Sequence, residues 1–127
     1  MTSEFFIDTL FPLTATINTN KEAKLLIDQA RAAFDLGKLE IKHGAEADQA
    51  SLENGDEPNV YLANISAWHY GQALAKFREA ISKFEEAKRF SISPKYKNYI
   101  DLKIGQCLEN SLICKLQQQK NNYGKTF

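Results

Sequence analysis

Residues 67–90 read AWHYGQALAKFREAISKFEEAKRF. Tyr70, Ala73, Leu74, Phe77, Ala80, Ile81, Phe84, Ala87 and Phe90 recur at steps of three and four, which lines them up along one face of an α-helix. Between them, Lys76, Arg78, Glu79, Lys83, Glu85 and Glu86 supply a face suited to water. Small and aromatic residues alternate along the apolar stripe, so neighbouring helices can approach at the alanines while the rings fill the space between. The stretch predicts one helix of a bundle.

The apolar pattern extends back through Trp68, Ile65, Tyr61 and Val60 to Pro58, a residue suited to a first helical turn, so the helix is expected over 58–90. Before it, Glu53–Asn59 (ENGDEPN) combines Asn-Gly, two acids and a proline and reads as a loop. Further back, Thr19 with Glu22 fits a capping box and opens a first helix over 19–52. Its stripe is Ala23, Leu26, Ile27, Ala30, Ala33, Phe34, Gly37, Ile41 and Ala45. Gly37 and Gly44 each disfavour a helix interior by roughly 1 kcal/mol against alanine, but the stripe continues through both, so one long helix is expected.

On the other side, Ser93 is placed to cap a third helix, with Pro94 at its first position, running over 94–119. This helix has two apolar faces. Tyr96, Ile100, Ile104, Cys107, Leu108, Ser111, Leu112 and Cys114 share a broad arc, and Tyr99, Leu102, Ile113 and Leu116 fall outside it. Residues 1–18 hold Phe5, Phe6, Ile7, Leu10, Phe11 and Leu13 around Pro12, and read as a short helix followed by an extended strap. So many large apolar side chains call for cover, either on the second face of the third helix or in the groove beside Leu108. The tail 120–127 has no pattern and is expected to fray. The fold expected is therefore all-α: a single domain 1–127, built as an antiparallel three-helix bundle with long first and second helices and an N-terminal fourth element.

Composition agrees with a helical domain. At 127 residues one core is affordable, and three prolines and six glycines are few for a turn-rich β-protein. Sixteen basic residues balance sixteen acidic ones, so no net field draws the chain to nucleic acid or to a membrane surface. No apolar run is long enough to span a bilayer and no basic signal segment opens the chain, which reads as cytoplasmic. Cys107 and Cys114 lie seven apart, about 10 Å along one helix, too far to pair with each other; they read as packing residues.

No motif for chemistry stands out. His43 and His69 are far apart in sequence and are taken as isolated, solvated or capping histidines, with no metal and no cofactor expected. No nucleophile elbow, phosphate loop or pair of Glu-x-x-His motifs is present, and the acids of the second helix sit beside basic residues at surface-pair spacing. The chain does not read as an enzyme.

YGQALAKFREAISKFEEAKRF followed by SPKYKNYIDLKIGQCLENS resembles the MIT (microtubule-interacting and trafficking) domain, a three-helix module. Tyr70, Ala73, Leu74, Phe77, Ala80, Ile81, Phe84 and Ala87 stand where that family has its repeating Tyr, Ala, Leu and Phe positions. Ser93, Lys95, Lys97, Ile100, Lys103, Leu108 and Glu109 match its third helix without a gap. The same periodicity is also similar to that of tetratricopeptide helical hairpins. Residues 38–68 have no counterpart in the MIT pattern and would lengthen the first two helices at their shared end.

What the resemblance implies is a groove between the second and third helices that takes an amphipathic helix from a protein partner. Where the family commonly has Leu-Asp-Arg-Ala, this chain has Leu108, Glu109, Asn110 and Ser111, keeping an acid and a small residue without the arginine. Anchors at one-turn spacing with flanking charge are what such binding needs. The expected contact residues are Leu74, Phe77, Leu108, Glu109, Ser111 and Leu112. The expected function is noncatalytic protein binding, and the alternative is a homo-oligomer, a homodimer in the simplest case, formed through the second face of the third helix.

Overall fold

The computed structural model describes residues 21–53, 60–90 and 92–123, with side chains as far as Lys120. All regular structure among them is helical: α1 spans Lys21–Glu53, α2 spans Val60–Ala87 and α3 spans Pro94–Tyr123. The expected N-terminal element, the Thr19 cap, residues 54–59 of the expected loop and residues 124–127 of the expected tail lie outside the described residues, while Glu53 closes α1. α2 is the central helix and packs on both α1 and α3.

A seven-residue repeat explains how α1 and α2 fit. On α1 the buried residues Ala23, Ala30, Gly37, Gly44 and Ser51 are all small and are spaced by seven. On α2 the small buried residues Ser66, Ala73, Ala80 and Ala87 share that spacing, and the aromatic residues Tyr70, Phe77 and Phe84 keep the same interval. Residues repeating every seven positions keep one seam facing a neighbour, as in left-handed helical packing. Here α1 offers small residues where its antiparallel partner α2 offers rings. The Phe77 ring lies over Gly37, where a Cβ would stand 2.8 Å from Phe77 Cε1. The Tyr70 ring lies over Gly44 in the same way, at 3.0 Å. Both glycines thus belong inside the helix and serve close packing. The repeat also explains a departure from the expected stripe: Gly44 is buried and Ala45 exposed, because the seam follows the seven-residue interval.

Phe34 and Phe77 meet edge to face with ring centroids 5.7 Å apart, and both are fully buried with Phe84. Burying such a ring stabilises the fold by about 1.5–3 kcal/mol. Ser66 Oγ donates to the Gly44 carbonyl at 2.9 Å, which ties the hairpin together in its buried interior.

α2 ends in two tight turns. Arg89 N–H donates to the Glu86 carbonyl and Phe90 N–H to the Ala87 carbonyl, an i to i−3 pattern that satisfies carbonyls left over at the helix end. The regular helix therefore stops at Ala87, short of 90, while Phe90 still packs on the core. The cap of α3 follows. Ser93 Oγ accepts from Tyr96 N–H at 3.4 Å, and the Ser93 carbonyl accepts from Tyr96 and Lys97. At the same end Lys88 Nζ reaches Asp101 Oδ1 at 2.7 Å, and at the other end Gln118 Nε2 donates to the Ala67 carbonyl at 3.2 Å.

α3 turns Tyr96, Tyr99, Ile100, Cys107 and Cys114 into the core. Tyr99, expected on the outer face with Leu102, is instead fully buried. Lys103 is buried as well, its ammonium 4.0 Å from the centre of the Phe34 ring, close enough for a cation–π attraction. No described helix is long and apolar enough to cross a membrane.

Candidate functional site

The expected contact residues divide between two environments. Phe77 is enclosed by Phe34 and Gly37 of α1 and Leu74 is buried in the core, so neither is open to a partner. Leu108, Glu109 and Leu112 are exposed on α3, and Ser111 is half-buried between them and the core side. The register explains the split: Phe77 belongs to the aromatic heptad facing α1, whereas Leu108 stands about 100° around α3 from Cys107.

Leu108, Leu112 and Leu116 follow one another at one-turn spacing on the outer side of α3. Leu102 and Ile113 flank them. All five are 47–59% exposed, on the helix side away from the Cys107 and Cys114 seam. Glu109, exposed among them, gives the surface a negative charge. Intrahelical hydrogen bonds satisfy the backbone here, so the surface offers apolar contact with charged neighbours, Asp101 and Glu109 among the acids and Lys115 and Lys120 among the bases.

Both cysteines are free and buried. Burial pushes the Cys114 thiol up to about 11, which removes it from nucleophilic chemistry near neutral pH. Tyr70 is pushed up to about 12, mostly by burial and further by the Asp48 carboxylate, to which its hydroxyl donates. These shifts hold neutral groups inside a packed seam.

A second group of polar side chains sits on the rim between α1 and α2. His69 Nδ1 and Glu40 Oε2 are 2.7 Å apart. The His43 and His69 rings meet edge to face with centroids 5.3 Å apart, and Trp68 meets His69 in the same manner at 5.0 Å. One donor atom from each of Glu40, His43 and His69 lies within 4.8 Å of the others. Folding thus removes the isolation of the two histidines expected from the sequence. Part of the signal was present locally, since Glu40 precedes His43 by one helical turn. The third member required the register of the hairpin.

No family model, curated protein or solved structure matches the chain.

Proposed function

We propose that the chain is a noncatalytic, cytoplasmic interaction module that binds an amphipathic helix or peptide of a protein partner along the outer side of α3. The observation that carries this reading is the exposed series Leu108, Leu112 and Leu116, flanked by Leu102 and Ile113. Side chains repeating at one-turn spacing match the anchors of a helix lying alongside. A concentrated apolar surface is also the kind of patch that marks an interaction site. The resemblance of α2 and α3 to the MIT pattern implies a partner helix too, but in the groove between α2 and α3; on the outer side of α3, Glu109 and Ser111 stand at the rim of the contact. Leu74 and Phe77 then support α2 from within.

The test compares wild type with the double variant Leu108→Glu/Leu112→Glu as bait in extracts of the native organism. Both positions are exposed, so the variant should keep its helical circular dichroism and its melting temperature. Loss of a specific co-purifying protein from the variant supports the reading. Retention of the same proteins by the folded variant overturns it. The alternative, a homodimer through the same side chains, is separated by light scattering. A concentration-dependent dimer that the double variant abolishes would assign the surface to a second copy.

A further inference from the structure

We infer that Glu40, His43 and His69 form a binding site for a divalent late transition-metal ion, zinc foremost, that clips α1 to α2. Two imidazoles and one carboxylate are a donor set suited to zinc, whereas calcium and magnesium require oxygen ligands. Glu40 and His43 are one turn apart on α1, so they project from the same side of that helix. His69 comes from the antiparallel α2, and its Nδ1 already lies 2.7 Å from the Glu40 carboxylate.

The geometry is within reach of a chelate. The three donors lie within 4.8 Å of one another. Around a tetrahedral ion with bonds of about 2.0–2.2 Å, donors stand about 3.3 Å apart, so side-chain rotations must close roughly 1.5 Å. The Glu40–His69 pair stands at hydrogen-bond distance, 2.7 Å, and would open by about 0.6 Å as the ion takes the place of the proton between them. The remaining movement falls to His43, which is exposed and meets the His69 ring edge to face. The backbone beneath is rigid, since Tyr70 packs on Gly44 and Ser66 is bonded to the Gly44 carbonyl. Exposure of His43 also leaves a route for the ion and a position for water as a fourth ligand. The local charge is compatible: from Lys38 to Glu53 there are four acids and two lysines. Trp68 packs on the edge of His69 and helps to fix the ring.

The reading predicts a clip between α1 and α2 at Glu40, His43 and His69. It can be tested on the full chain, free of any histidine tag, by calorimetric titration with zinc chloride and by visible absorption with cobalt(II). One ion per chain should bind, and saturating zinc should raise the melting temperature, because the ion binds the folded state. His43→Ala and His69→Ala should each weaken zinc affinity at least about tenfold, since even changes outside the ligand shell cost that much. Glu40→Gln should weaken it comparably by removing the anionic donor, and each variant should lose the cobalt d–d bands while keeping its helical circular dichroism. The inference is overturned if wild type shows no saturable zinc binding below about 1 mM, an affinity too weak for a built chelate. It is equally overturned if His43→Ala and His69→Ala bind zinc as wild type does.

Discussion

Two glycines of this chain have opposite meanings, although both lie inside helices. At Gly37 an added Cβ would stand 2.8 and 2.9 Å from atoms of the Phe77 ring, which is fully buried and has nowhere to move. Gly37→Ala should therefore destabilise the protein by about 1–3 kcal/mol despite the better helix propensity of alanine. At Gly105 a Cβ meets nothing within 4 Å, so Gly105→Ala should stabilise by about 1 kcal/mol. Urea unfolding of the two variants measures both signs. The sequence marks both positions only as weak helix formers, because what separates them is the ring supplied by another helix. Tyr70 and Cys114 make a second residue-scale prediction. Their folded values are raised, from 10.0 to about 12 and from 9.0 to about 11, so on alkaline titration the unfolded chain loses these protons first. Stability is then undiminished below pH 9.0 and falls as pH rises through about 12. Urea midpoints across that range check the fall, and Tyr70→Phe should flatten the part above pH 10.0.

At the scale of the element, the three helices follow from periodicity, and their helical character was readable wherever apolar residues recurred at three and four. The finer seven-residue interval of small residues is present in the sequence too, but it acquires meaning only when Phe77 is seen over Gly37 and Tyr70 over Gly44. That interval predicts the behaviour of α2. Phe84 belongs to the same aromatic series as Tyr70 and Phe77 and is fully buried, so Phe84→Ala should cost about 3–5 kcal/mol in chemical denaturation. A loss below about 1 kcal/mol would mean that the ring has room to be replaced, against the packing described. α3 was harder to read because apolar residues surround it, and periodicity cannot say which arc faces the core. Tyr99 and Lys103 show the difficulty. The tyrosine, expected on the outer face, is buried, while the lysine reaches inward over the Phe34 ring.

For the whole molecule, the antiparallel hairpin does what no local motif can. It brings His69 to Glu40 and His43, and it encloses Phe77 while leaving Leu108 and Leu112 in water. The expected contact set was therefore partly a set of core residues, because a helical stripe looks alike in sequence whether its cover is another helix of the same chain or a partner. The outer side of α3 is the feature on which the functional reading rests. The most direct measurement places a photo-crosslinking benzoyl-phenylalanine at Leu112 and, as a control, at the exposed Leu39 of α1, then irradiates each protein in extract of its native organism. The account predicts a discrete crosslinked product from position 112, with the mass of a different protein added, and none from position 39. Crosslinks of equal yield at the two positions, or none at 112, would contradict it.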